Sequence, residues 1–284
     1  MKFKKSRKIY RILFPKKYSP LDTILNKLNS NNIKSINKKD DYYEVLFYNN
    51  IKIIVRDEDH SDIMVFNQIF NFEEYSLVSK LMKLNPIFNP KKIIIDAGAN
   101  VGYTSVYLSN IFENSQIFAI EPSLENAQFY KKNISSLKNK DYIKLYQNAL
   151  SHESGLNFII DRNFRDGKDW SIATNENPDG NIPGISIQEI VKENHLTHIS
   201  LLKIDIEGAE RFIFKDGNDF SFLKITEIIA IEIHDEFNIR DEINNILINN
   251  NFIIFESGEL TIGINKLLIW YLNGNNCIGH ITSL

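Results

Sequence analysis

The sequence predicts an α/β protein: a doubly wound, seven-stranded, mostly parallel sheet that ends in an antiparallel hairpin and is preceded by an N-terminal α+β extension. Three observations predict it. From residue 86 onward, β-rich runs alternate with helical patterns, the signature of a parallel sheet with right-handed crossovers. The strand candidates are continuous apolar runs rather than alternating ones, as expected for strands buried on both faces. The last two runs have no helical stretch between them, so they read as a hairpin.

Taken in order, residues 20–30 (PLDTILNKLNS) carry Leu21, Ile24, Leu25 and Leu28 at helical spacing. YYEVLFY (42–48) and IKIIVR (51–56) flank Asn49-Asn50 and read as a hairpin. Residues 61–84 read as helical. KIIIDA (92–97) precedes a helix over 101–112, and QIFAIE (116–121) precedes one over 123–139 with Ser123 as N-cap. YIKLYQNAL (142–150) is the third strand, and 151–185 is less regular. A helix over 186–194, ISLLKID (199–205), a helix over 207–215, EIIAIEI (227–233) and a helix over 238–249 follow. FIIFES (252–257) and KLLIWYL (266–272) close the chain, with Gly258 and Gly263 between them. The expected division is an extension at 1–85 and a ligand-binding domain at 86–284.

The composition of the 284 residues, 43% hydrophobic and 24% charged, is that of a soluble globular chain. A net charge of -3 argues against a nucleic-acid binder. The single cysteine, Cys277, excludes an internal disulfide framework and suits a reducing, cytoplasmic setting. Residues 1–17 hold eight Lys or Arg and no acid. They read first as a solvated basic tail and second as a peripheral contact for anionic lipid or an acidic partner.

IIIDAGANVGYTS (93–105) places Asp96 at a strand end and two glycines, Gly98 and Gly102, in the turn into the next helix. Ligands of open α/β sheets bind beyond the carboxyl ends of the strands. The spacing is not G-x-G-x-x-G, because Asn100 and Tyr103 stand at the later positions, and no lysine follows to make a P-loop. A second acid, Glu121, ends the next strand and can accept both hydroxyls of a ribose.

This pattern resembles the S-adenosylmethionine loop of class I methyltransferases. FNQIFNFEEY (66–75), IEPSLENAQFYKKNI, QNALSHESG (147–155), LLKIDIEGAE (201–210) and AIEIH (230–234) together look like the FkbM family of methyltransferases. The resemblance implies an enzyme that uses S-adenosyl-L-methionine for O-methylation of a sugar, a glycan precursor or a related small molecule. It assigns Asp96, Gly98, Asn100 and Gly102 to the methionine end of the cofactor and Glu121 to the ribose. Pro122 shapes the following turn, Asn148 and Ala149 lie near the adenine, and Tyr75 reaches in from the extension. The chain carries Gln188 where the family often has aspartate.

For the chemistry, Asp205 is expected to orient the acceptor hydroxyl, with His234 as base or hydrogen-bond partner. No metal is expected, although Asp205, Glu232, His234 and Asp235 form an alternative oxygen-rich set for a cation such as Mg²⁺. The second functional reading is a non-catalytic cofactor-binding or interaction protein docked to a membrane-surface glycan assembly. The sequence leaves the acceptor and the oligomeric state open.

Overall fold

The computed structural model describes residues 28, 32–57, 60–84, 91–161 and 173–268. The basic run at 1–17 and the expected helix at 20–30 lie outside them, apart from Leu28, which is fully buried. Among the described residues no helix is long and apolar enough to cross a membrane.

The extension begins with an antiparallel sheet of β1 (Ile33–Lys38), β2 (Tyr42–Phe47) and β3 (Lys52–Arg56). The β2–β3 hairpin is the expected one, and Asn50 takes the left-handed conformation at its turn, φ 66°. The continuous helix expected over 61–84 is instead two helices, α1 (Asp62–Phe66) and α2 (Ser76–Leu84). A π-helical turn, Asn67–Asn71, and a left-handed Glu73 (φ 50°) interrupt it.

The main sheet contains β4 (Ile93–Ala97), β5 (Gln116–Ile120), β6 (Ile143–Tyr146), β11 (Leu201–Ile204), β12 (Ile228–Glu232), β13 (Phe252–Ser257) and β14 (Leu260–Asn265). Their order is β13-β14-β12-β11-β4-β5-β6, and within this sheet β14 runs against its neighbours. Five helices join them: α3 (Tyr103–Ile111), α4 (Leu124–Ile134), α5 (Ile187–Glu193), α6 (Glu210–Ile213) and α7 (Arg240–Asn249). Ser123 caps α4 as expected, accepting from the Asn126 N–H.

Several expectations are corrected. The third strand stops at Tyr146. The chain turns at Gln147-Asn148, and β7 (Ala149–Leu150) joins a separate small sheet with β8 (Asn157–Asp161), β9 (Ala173–Glu176) and β10 (Ile182–Ile185). Among the described residues the last strand is Leu260–Asn265; of the expected 266–272, residues 266–268 form a turn and 269–272 lie outside the described residues. Gly263 marks no turn: it sits within β14, where a Cβ would meet Ile229 Cγ2 at 2.7 Å. The helix expected over 207–215 shrinks to α6 because Glu207 and Gly208 both take positive φ.

Alternate residues of the parallel strands feed two cores, as the period of two requires. Ile94, Ile117, Leu201 and Ile228 pack on one face with Val45, Phe66 and Val78 of the extension. Ile95, Phe118, Leu202 and Ile229 pack on the other with Ile190 and Leu247.

Polar contacts reinforce the docking of the extension. Asn133 donates to the Val101 carbonyl (2.7 Å) and accepts from the Ile54 N–H (2.6 Å). Arg56, 1% exposed, is paired with Asp62 at 2.7 Å and donates to Asn126 Oδ1 at 3.0 Å. Tyr103 Oη donates to the Ile54 carbonyl at 2.8 Å. Tyr103→Phe removes that donor and is expected to cost about 1–2 kcal/mol, the order of one buried hydrogen bond, in a urea denaturation curve.

Candidate active site

The chain runs β4, β5, β6 to one side of β4 and then returns to place β11 on its other side. The crevice at this switch point is where an open α/β sheet offers a ligand site. The loop after β4 fills it. Gly98 has φ 75°, and its N–H and that of Ala99 both donate to the Ile120 carbonyl at 3.0 Å. A side chain at Gly98 would overlap the Asp205 carbonyl oxygen outright, so glycine lets this turn lie against the end of β11. Gly102 packs against the ring of Tyr130, which a Cβ would meet at 2.8 Å.

Glu121 is fixed by the same loop. Its Oε2 accepts from the Asn100 N–H and its Oε1 from the Ser123 N–H, both at 2.8 Å. Burial lifts this carboxyl to about 7; the hydrogen bonds from Ser123, Asn100 and Asn126, and the positive charge of Lys203, oppose that rise. Asn126 therefore connects Glu121 to Arg56, so the extension helps to set the orientation of the strand-end acid.

Asp96 is wholly buried behind the loop. Its Oδ2 accepts from Ser105 Oγ at 2.6 Å, and Ser105 in turn accepts from Tyr130 Oη at 2.8 Å. Lys203 lies 3.4 Å from Asp96 Oδ1 and 3.6 Å from Asp205 Oδ2, and donates to the Gly98 carbonyl at 2.7 Å. Burial alone would lower the pKa of Lys203, but Asp205 and Asp96 outweigh it and hold the ammonium above the usual lysine range. Sequence reasoning passed over this residue, although a lysine inside the apolar run LLKID was its signal: a buried charge needs partners.

A cavity of about 310 Å³ opens in front of the loop. Gly98, Asn100, Glu121 and Pro122 line it, joined by Tyr75, Ala149 and Asp205. Four of the expected residues are not in its wall. Asp96 supports the loop from behind, Gly102 begins α3, Asn148 sits half-buried in the turn before β7, and His234 lies beyond Glu207 and Glu232. Gln188 does not line the cavity and donates to the Asp219 carbonyl.

The wall also brings in Glu74, Glu207, Glu232 and Glu259, which the sequence alone did not assign to the cofactor site. Glu74, Glu121, Asp205, Glu207, Glu232 and Glu259 face a single lysine of the wall, Lys203. Burial raises Glu74 to about 7, with Asp205 adding to it and Gln68 opposing. Burial, with Asp205 next, raises Glu232 to about 8, while His234 pulls it down.

His234 is 3% exposed. Its Nδ1 lies 2.7 Å from Glu210 Oε1, and its Nε2 lies 3.4 Å from Glu207 Oε2 and 3.7 Å from Glu232 Oε1. Burial favours the neutral ring, yet Glu207 and Glu210 outweigh it and raise the imidazole to about 10.

These shifts have a measurable consequence. Glu74 and Glu121 stand at about 7 in the folded chain against an ordinary 4.5. The folded state therefore binds more protons between those values, and the stability this contributes is lost as pH rises through 7. The melting temperature of the ligand-free protein is expected to fall from about pH 5 to about pH 7.5, with a shallower fall in Glu121→Gln, as read by scanning calorimetry.

Sheet order, switch-point loop and strand-end acid define a Rossmann-like fold of the class I methyltransferase type. Residues 96–254 match the methyltransferase FkbM domain, over half of the chain, and the protein belongs to that family. Methyltransferase 1 of Beauveria bassiana (strain ARSEF 2860) is 25% identical over 165 residues, which cover 50% of this chain and 64% of that protein. The chain thus spans less than two thirds of that relative. Among solved structures, the FkbM methyltransferase of Methylobacillus flagellatus KT superposes with a TM-score of 0.41 at 15% identity, over 74% of this chain and 56% of its own. The precorrin-6y C5,15-methyltransferase of Geobacter metallireducens GS-15 gives 0.37 at 13% identity, over 66% and 84%.

Proposed function

We propose that this chain transfers a methyl group from S-adenosylmethionine to a hydroxyl of a small acceptor, a sugar or glycan precursor in the first instance. The observation that carries the reading is Glu121: a buried carboxylate held by two backbone N–H groups at the strand end, facing the cavity. That placement suits the two hydroxyls of a ribose.

The rest of the wall fits the same ligand. Asn100 Oδ1 is buried without a hydrogen-bond partner among the described residues, an acceptor suited to a ligand donor. Six acidic side chains against one lysine favour a ligand that brings positive charge, a sulfonium and an ammonium, which draws the buried acids into their charged form, and disfavour the pyrophosphate of a dinucleotide.

When bound, the sulfonium supplies the methyl group, whose C–S bond breaks as a C–O bond to the acceptor forms. The protein's own contribution is alignment and proton removal. Holding donor and acceptor in line supplies roughly 7–11 kcal/mol. Asp205, in the wall and one third exposed, is placed to accept the hydroxyl proton. His234 sits behind Glu207 and Glu232, outside the cavity wall, so it holds those side chains in position rather than taking the acceptor's proton itself.

Radiolabelled S-adenosylmethionine incubated with a panel of hydroxyl-bearing sugars and glycan precursors tests the reading. Label in an alkali-stable ether is the expected product. Asp205→Asn is expected to bind the methyl donor within about threefold of the wild type while transferring about 10²–10⁴-fold more slowly. Label found instead on nitrogen, or on no acceptor despite donor binding, would count against O-methylation.

A further inference from the structure

We infer that Glu207, Glu232 and His234, with Asp205, form a binding site for one divalent first-row metal ion beside the cavity. One ligand atom each from Asp205, Glu207 and His234 lies within 4.8 Å of the others. Asp205 and Glu207 come from the turn between β11 and α6, and Glu232 and His234 from the end of β12, so the fold assembles them from two separate stretches of chain.

An acidic cluster alone says little. Here the imidazole adds an independent indication. His234 is almost fully buried, and its Nε2 has no hydrogen-bond partner among the described residues. That nitrogen points at two carboxylates, 3.4 Å from Glu207 Oε2 and 3.7 Å from Glu232 Oε1. Two atoms that share a metal at roughly 2.0–2.2 Å stand about 2.8–3.6 Å apart, so both separations are close to those of co-ligands.

The other ring nitrogen is already committed. Nδ1 lies 2.7 Å from Glu210 Oε1, which also accepts from the His234 backbone N–H at 2.9 Å, and the Gly208 N–H approaches the same nitrogen at 3.2 Å. A carboxylate that fixes the distal nitrogen is the usual support for a metal-ligating histidine, because it sets the tautomer and the ring plane. Glu210 is itself fully buried, so it orients the ring without competing from solvent. Asp235, which the sequence also suggested, is excluded: both of its oxygens are bound to Arg240, at 2.6 and 2.7 Å.

One imidazole with several carboxylates suits manganese, iron or zinc better than magnesium or calcium, which take oxygen ligands. Because Asp205, Glu207 and Glu232 also line the cavity, the bound ion would face the acceptor and lower the pKa of a hydroxyl placed on it. That role rests on the methyl-transfer reading above, whereas ion binding does not.

The test is Mn²⁺ titration of the chelator-treated full chain, followed by loss of the free-ion electron paramagnetic resonance signal, with Zn²⁺ followed by calorimetry and Ca²⁺ as a control. Saturation at one ion per chain at micromolar Mn²⁺ is expected. Binding should weaken at least about tenfold in Glu207→Gln and in His234→Gln, and about 10–100-fold in Glu210→Gln, while Asp235→Asn binds as the wild type does. Glu207 is half-buried in a turn, so its variant decides the matter if His234→Gln does not fold. No saturable binding by the wild type up to millimolar ion, or binding that Glu207→Gln leaves unchanged, would overturn the site, whatever the outcome of the methyl-donor experiments.

Discussion

Gly98→Ala is expected to destabilise the protein by about 2–5 kcal/mol and to abolish binding of the methyl donor. Two costs add. The left-handed conformation at φ 75° costs an alanine roughly 1–2 kcal/mol. The new methyl would also overlap the Asp205 carbonyl oxygen and lie 2.8 Å from its carbon. Both groups are backbone, held between β4 and β11, so no side chain can swing aside; overpacking of this kind adds roughly 1–3 kcal/mol. Gly155→Ala separates the two costs. Gly155 has φ 87°, but a Cβ there would meet nothing within 4 Å, so only the conformational cost applies. Chemical denaturation of both variants should give a clearly larger loss at Gly98. Equal losses would mean that the β4 loop does not lie against β11 as described.

The second large effect is on binding. Glu121→Ala is expected to weaken S-adenosylmethionine binding at least about 100-fold, or about 3 kcal/mol, the order of two hydrogen bonds to a charged group. Its melting temperature should fall less than that of Gly98→Ala: the freed Asn100 N–H borders the cavity and can reach water, and only the N–H of Ser123, 1% exposed, is left without its acceptor. Glu121→Gln keeps one acceptor oxygen and should fall between. An affinity unchanged in Glu121→Ala would separate the carboxylate from the ribose and remove the observation on which the proposed function stands.

How much of this was legible in the sequence depends on how local each determinant is. Strands β4, β5, β11 and β12 were legible because burial on both faces writes an unbroken apolar run into the chain. The glycine loop and Glu121 were legible because each stands directly after such a run. Strand β1, IKSINK, is half exposed and carries no such signal, so it went unseen. Gly263 misled because a glycine placed for close packing against Ile229 looks, in sequence, like a turn. The break after α1 has neither glycine nor proline: it is Glu73 that turns left-handed.

The acidic wall was the least legible feature of the site. Glu74, Glu207, Glu232 and Glu259 come from four distant stretches, and only the fold brings them to one cavity. The same holds for His234. Its residue type suggested a general base, but the partners that decide its protonation, Glu207 and Glu210, approach from a turn whose helix starts later than its periodicity implied. Lys203 shows the converse, a residue whose local pattern announced it and whose three-dimensional partners then gave the reason.

The measurement that bears most directly on the central claim is calorimetric titration of the wild-type protein with S-adenosylmethionine and, separately, with NAD. The acidic cavity and the cavity-facing Glu121 predict saturable, micromolar binding of the sulfonium ligand and none of the dinucleotide. Binding of NAD, or of neither ligand, would contradict the account.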